Sequence, residues 1–376
     1  MPSKKILYIA EDYLTSKVHH SLCAKLGEQG VPIMVFTVER DANKNRRLQE
    51  DLDTSNYQVA TGKNDFSAFL YKYYFPYKIR TKYRLLTDKI DLNTVKATYA
   101  ATLFSEGALA YQLYKKHGIP YVVAVRNTDI AFYLSKMPHL WKLGREILRH
   151  ADSVVFITPS LRNRALRHRA LSSIRTEITE KSEVIMNGID PFWLENIRKP
   201  VTNANPFSLI YVGNFSDAKN LPRLIRACDR VRFKYPKLTL TLVGGGGNEE
   251  SEVLNLVKLH PDWIILKGKT NDKPTLRDYY RAADIFVMPS DDTFGLVYVE
   301  ALTQGLPILY GKERGFDEIY PENTIGCHAD ITDENDIAQK IEYLIANYPD
   351  LTKNIANLDF VEYDWTIIAK RLISKL

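Results

Sequence analysis

Residues 284–311 read DIFVMPSDDTFGLVYVEALTQGLPILYG. An apolar run, Ile285–Met288, gives way to a polar turn, a helix-spaced segment over 294–304, and a second apolar run from Pro307. Gly305 and Pro307 supply the stop expected at a helix C-terminus. Strand, loop, helix, strand is the repeating unit of a parallel sheet, because parallel neighbours need a crossover between them. Asp292 or Thr293 is placed to cap the helix, and the amides of Phe294, Gly295, Leu296 and Val297 are left to face the carboxyl end of the sheet, where helix mouths hold anionic ligands.

The same alternation runs outward in both directions. Upstream lie FSLIYVG (207–213), a helix over 219–235, LTLTLVGGGG (238–247), a helix over 249–260, WIILKG (263–268) and a helix over 275–282. Earlier still, KILYIA (5–10) and PIMVFT (32–37) flank a helical SKVHHSLCAKLGEQG, and TVKATYA, PYVVAVR and SVVFITPS continue the series. Between the two series, 196–206 (NIRKPVTNANP) has two prolines and no period, so it reads as a linker. The expected organisation is therefore an α/β chain of two Rossmann-like doubly wound domains, 1–196 and 207–355, joined by 197–206. They are expected to face a central cleft, with a C-terminal helix in 356–376 packing back on the first domain.

Composition bounds the function. The chain has 376 residues, 45% hydrophobic and 26% charged, as ordinary globular proteins do. No apolar run is long enough to span a membrane, and Cys23, Cys228 and Cys327 lack metal spacing, so a cytoplasmic location with thiols as small core residues is expected. Residues 1–200 hold 31 Lys+Arg against 20 Asp+Glu, a balance of +11; the rest hold 20 against 25, or −5. The basic half calls for an anionic partner. Two basic aromatic stretches, YKYYFPYKIRTKYR (71–84) and RNRALRHRA (162–170), suit peripheral contact with an anionic membrane. Solvated faces with core aromatics explain them equally, and no nucleic-acid module is visible.

Asp292 and Glu300 stand eight residues apart around the helix mouth. Carboxylates accept hydrogen bonds from vicinal hydroxyls, and eight residues at helical rise span roughly 12 Å. From local physics alone, a cap at Asp292 and a surface ion pair at Glu300 explain them as well. The segment resembles the acid–Phe-Gly–Glu signature of GT-B glycosyltransferases of the group-1, GT4-like family, with Asp292 where Glu is usual. The resemblance implies that Asp292 meets the donor sugar and Glu300 the ribose. YVGNFSDAKNLPRLIRA (211–227) resembles the strand–loop–helix that takes the donor diphosphate. Gly213 and Lys219 match it, and Asn214 stands where an Arg is usual. LVGGGGNEE resembles the family's glycine turn at Gly244, and ILKGK its base-side backbone at Gly268 and Lys269. VIMNGID (184–190) resembles an Asn-Gly-Ile-Asp element whose role is a turn.

In the first half, Ser105, Glu106 and Gly107 follow one strand and Arg126, Asn127, Thr128 and Asp129 another. The resemblance to polysaccharide-assembling members implies acceptor binding by Glu106, Arg126, Asn127 and Asp129. Asp129 joins Lys219 and Asp292 as a catalytic candidate. Pairing of Asp129 with Arg126, or capping of the next helix, is the competing reading. The family further implies sugar transfer with retention from a UDP- or GDP-sugar to a glycan or lipid-linked hydroxyl, in capsule or lipopolysaccharide assembly, with no cofactor and no metal. A sugar-nucleotide epimerase, or a non-catalytic nucleotide-sugar binder or scaffold, remains the alternative. A nicotinamide dehydrogenase is disfavoured, since no Gly-x-Gly-x-x-Gly follows the first strand.

Overall fold

The computed structural model describes residues 4–39, 54–63 and 74–376. Contacts divide the chain into two compact units: Met1–Ile157 with Leu161–Gly188 and Trp365–Leu376, and Thr158–Ser160 with Ile189–Asp364.

In the first unit seven strands form one sheet: Lys5–Ile9 (β1), Ile33–Glu39 (β2), Gln58–Lys63 (β3), Val95–Ala100 (β4), Tyr121–Val125 (β5), Ser153–Phe156 (β6) and Ser182–Val184 (β7). Their order is β3-β2-β1-β4-β5-β6-β7, every pair parallel. Strands covered on both faces need continuous apolar runs rather than alternation, and β5 is buried at every residue. The helix Lys17–Glu28 buries His19, Leu22, Cys23 and Leu26, one face at helical spacing. Against it packs the last helix, Trp365–Ile373, through Trp365, Ile368, Ala369 and Leu372. Arg371 and Lys375 clasp Glu183 at 2.9 and 2.6 Å.

The second sheet is Ser208–Gly213 (β8), Thr239–Gly244 (β9), Ile264–Gly268 (β10), Ile285–Val287 (β11), Ile308–Gly311 (β12) and Gly326–Ala329 (β13). Its order is β10-β9-β8-β11-β12-β13, again parallel throughout. Strand order reverses between β1 and β4 in one sheet and between β8 and β11 in the other. Ligands of doubly wound sheets bind outside the strand ends at such points.

Several boundaries differ from expectation. The chain passes between units at Gly188–Ile189, ahead of the 197–206 stretch expected as linker. That stretch belongs to the second unit: the Arg198 amide donates to the Thr303 carbonyl at 2.8 Å, Asn203 to Asp284 at 2.8 Å, and the Tyr348 hydroxyl to the Val201 carbonyl at 3.2 Å. Prolines and missing period mark irregular backbone, which tertiary contacts can still order. Strands β3 and β13 escaped notice because QVATGK and GCHA lack an apolar pattern. The helices Trp141–His150 and Glu334–Ala346 were likewise unanticipated. All three cysteines are buried thiols.

Candidate donor and acceptor sites

Gly213, Gly244 and Gly268 end β8, β9 and β10, and the register sets them nearly abreast: Gly213 opposite Gly244, Gly268 opposite Val243. Gly244 has φ 152°, and a Cβ there would run into the Gly213 carbonyl. The glycine turn thus lets two loops touch backbone to backbone: the Phe215 amide donates to the Gly246 carbonyl at 2.6 Å, and the Glu249 amide to that of Phe215 at 2.9 Å. Lys269, just past Gly268, is exposed.

The loop after β11 carries the acids. The helix begins at Leu296, not 294, because Gly295 caps it with φ 78° and no side chain caps it. Neither Asp292 nor Thr293 takes the capping role expected of them. A Cβ on Gly295 would strike the ring of Tyr298, whose hydroxyl anchors the loop by donating to the Met288 carbonyl at 2.5 Å. Phe294 is buried, so its side chain holds the loop down while its backbone stays at the mouth. The amides of Gly295, Leu296 and Val297 find no acceptor among the described residues.

Asp292 instead faces Lys219. The ammonium stands 2.6 and 2.5 Å from the two carboxylate oxygens, and Ser290 donates to one of them at 3.2 Å. Lys219 ends a 3-10 turn, and Asn220, left-handed at φ 58°, starts the helix Leu221–Arg232. The expected helix start at 219 is thereby displaced two residues, and Lys219 lies outside the helix. Asn214, earlier in the same loop, is exposed, with Ser216 donating to its side chain at 3.2 Å.

Glu300 lies one turn inside the helix Leu296–Thr303, and only part of the eight-residue interval from Asp292 is helical. Burial raises its carboxyl to about 7, and the Asp190 charge adds to this. The Tyr280 hydroxyl, the Lys273 ammonium and the Trp193 indole pull the other way. Tyr280 donates to it at 3.3 Å, and Lys273 pairs with Asp190 at 2.5 Å. An acid poised near neutrality can accept both hydroxyls of a diol when ionised, and when protonated keeps less acceptor capacity and turns one oxygen into a donor.

The first unit has its own polar cluster where β1, β4 and β5 end. Lys82 is 1% exposed and reaches Glu11 at 2.8 Å, Glu106 at 3.1 Å and Ser105 at 3.1 Å. Lys78 adds a 3.0 Å contact to Glu11, and Thr102 donates to Glu106. Glu106, expected at the acceptor, is therefore spent inside this network. Asp129 is 1% exposed and accepts from three backbone amides: Arg126 at 2.8 Å, Leu103 at 3.0 Å and Phe104 at 3.2 Å. Burial raises its carboxyl to about 6 against those three amides. It staples the loop after β4 to the loop after β5, in place of the open catalytic carboxylate expected. Arg126 and Asn127 are half-buried and engaged by the Ala101 carbonyl at 3.0 Å and Arg164 at 3.1 Å. Lys82 and Glu11 were missed. A lysine one turn before Leu86 on a buried helix face was the available signal.

Residues 194–358 match the model of glycosyl transferases group 1, and residues 16–192 that of glycosyltransferase family 4. The two matches take up the chain's two halves in order, and the chain belongs to this family of GT-B-fold glycosyltransferases. It is 26% identical over 279 residues to an uncharacterized glycosyltransferase of Methanocaldococcus jannaschii, covering 68% of each chain. It is 25% identical over 274 residues to the sulfoquinovosyl transferase of Arabidopsis thaliana, covering 69% of this chain and 51% of that one. The chain thus spans about half the length of the plant relative. Among solved structures, Anabaena HepE in complex with UDP superposes with a TM-score of 0.68 at 16% identity, over 98% of both chains. Sucrose-phosphate synthase of Thermosynechococcus elongatus does so with 0.70 at 18%, over 99% and 98%. At such identities the likeness concerns the fold.

Proposed function

We propose that the protein is a retaining glycosyltransferase that moves a sugar from a UDP- or GDP-linked donor to a hydroxyl of a glycan or lipid-linked acceptor in cell-surface polysaccharide synthesis. The observation that carries this reading is the alignment of Gly213, Gly244 and Gly268 at three adjacent strand ends, with Lys219 of the loop after β8 paired to Asp292 of the loop after β11. Glycines let a nucleoside diphosphate lie against backbone. Glu300 takes the ribose diol, Asp292 the sugar hydroxyls, and Lys219 with the amides of Gly295, Leu296 and Val297 takes the negative charge that develops as the diphosphate leaves. Lys219 must exchange Asp292 for phosphate, which frees Asp292 for the sugar. The departing phosphate oxygen takes the acceptor's proton, so the reading needs no separate base. It assigns no metal and no cofactor. The closed Lys219–Asp292 pair also favours a second reading, a nucleotide-sugar binder without turnover. Glycosyl transfer from a bound donor to a simple alcohol or to water decides between the two.

A thermal-shift titration with UDP, GDP and their sugars tests donor binding, since a ligand raises the melting point by mass action. Glu300→Gln supplies the internal check. Its carboxyl is raised in the folded state, so the ionised form costs stability, and that cost appears as pH climbs from about 4.5 through about 7. Glutamine removes it. Without ligand, Glu300→Gln is expected to be more stable than wild type at pH 8, by up to about 3 kcal/mol, and equal to it at pH 4.5. It should nevertheless bind the nucleotide more weakly at pH 8. Unchanged affinity at pH 8 removes Glu300 from the donor site.

Among the described residues no helix is long and apolar enough to cross a membrane. For the lipid-linked acceptor we propose peripheral contact through the helix Phe75–Thr87; residues 71–73 of the expected basic stretch lie outside the described residues. A groove of about 1100 Å³ beside this helix is lined by Phe75, Tyr77, Arg80, Tyr83, Lys115 and Lys116 among others. Aromatic rings over a basic rim suit an anionic interface. Arg80→Glu with Lys116→Glu should abolish cosedimentation with phosphatidylglycerol vesicles at about 0.1 M salt while leaving nucleotide affinity intact. Vesicle binding equal to wild type rejects this surface.

A further inference from the structure

The loop that carries Asp292 holds a second, unused pairing. Asp291, next to it, faces Arg314, which lies on the turn after β12: Nε stands 3.1 Å from Asp291 Oδ1. That Nε is shielded from water, yet it forms no aligned hydrogen bond among the described residues. Two backbone bonds clamp the loop between its neighbours, from the Asp291 amide to the Ala218 carbonyl at 2.8 Å and from the Gly315 amide to the Asp292 carbonyl at 2.9 Å. Adjacent carboxylates therefore each hold a cation delivered by a different flanking loop, Lys219 from β8 and Arg314 from β12. The turn that bears Arg314 is itself fixed. Glu313 is left-handed at φ 54°, and Asp317 accepts from the amides of Glu313 and Glu318 at 2.6 and 3.0 Å.

These four groups sum to zero formal charge, and Asn214 in the adjacent loop is neutral. An anion arriving here gains little unless it displaces a carboxylate from its cation. Lys219 alone gives one such exchange. We infer that Arg314 gives the other: it is an anion-binding residue of the donor site, and it exchanges the Asp291 carboxylate for an anionic oxygen of the nucleotide sugar. A planar guanidinium suits phosphate and carboxylate alike, so the oxygen belongs either to the diphosphate or to a carboxylate on the donor sugar. The inference rests on the donor-site reading above. Asp291, with its side chain about half exposed, makes no other side-chain bond among the described residues that its replacement by Asn would break.

Calorimetric titration of wild type, Arg314→Ala, Arg314→Lys, Asp291→Asn and Lys219→Ala with UDP, GDP, UDP-glucose and UDP-glucuronate tests it. Arg314→Ala should weaken binding roughly tenfold, the scale of one charge-assisted hydrogen bond, with Arg314→Lys in between. Asp291→Asn should tighten binding severalfold, because Arg314 then has no competing carboxylate. If the diphosphate is the partner, all ligands shift together, UDP or GDP included. If it is a sugar carboxylate, only UDP-glucuronate shifts. Wild-type affinities in both Arg314→Ala and Asp291→Asn, when the wild type binds at least one of the four ligands, overturn this inference alone. No binding by the wild type to any of the four takes down the donor-site reading and this inference with it.

Discussion

Lys219→Ala is expected to lower kcat roughly 10²- to 10³-fold, the usual cost of removing one preorganised group from developing negative charge. The ground-state effect is smaller, because Lys219 is already neutralised by Asp292 at 2.6 and 2.5 Å before any donor arrives. Binding swaps one anion for another, whereas bond cleavage adds charge that the lysine and the helix-mouth amides meet. The loss should therefore fall on kcat more than on KM. Removal of the lysine also leaves Asp292 unpaired beside a dianionic ligand. Asp292→Asn in the same chain should then restore part of the donor affinity but not the rate, a coupling that a double-mutant cycle measures. A Lys219→Ala protein that turns over at the wild-type rate removes Lys219 from the reaction.

Asp129→Ala is expected to destabilise the first unit by about 3–5 kcal/mol, because it strands three buried amides at once. Those amides, from Leu103, Phe104 and Arg126, lie in the loops after β4 and β5, which Arg126 Nε also joins through the Ala101 carbonyl at 3.0 Å. Asp129→Asn keeps one acceptor oxygen and should lose about half as much. The two variants separate support from catalysis. A positioning residue loses activity in proportion to the fraction unfolded, and its pH–rate profile keeps the wild-type shape. A general base would lose turnover in the still-folded Asp129→Asn protein and erase a limb of that profile. Because burial raises the carboxyl to about 6, its ionisation opposes folding between about pH 4 and pH 6. The wild type should accordingly gain stability relative to Asp129→Asn as pH falls through that window.

The donor side was more legible than the acceptor side, for a reason visible in particular residues. Gly213, Gly244 and Gly268 sit at strand ends, where the alternation of strand and helix places them, whereas Asp292 and Glu300 were singled out by the resemblance and not by local spacing. Glu106 and Asp129 were equally well placed along the chain, yet the structure turns both inward, one onto Lys82 and the other onto backbone amides. Whether a carboxylate after a strand faces solvent depends on what the neighbouring loop offers it. Position along its own strand says nothing of that.

Read alone, the chain determined two parallel sheets, their alternation with helices, and the acid–Phe-Gly–Glu spacing, because burial on both faces and helical rise are periodic and local. Only the tertiary structure decided which charges meet. Lys219 finds Asp292 across 73 residues, Lys82 finds Glu11 across 71, and Arg314 finds Asp291 from the next strand over. Ion pairs form between whatever the strand order brings within about 4 Å. That order, β8 beside β11 and β1 beside β4, is set by the packing of whole helices on whole sheets.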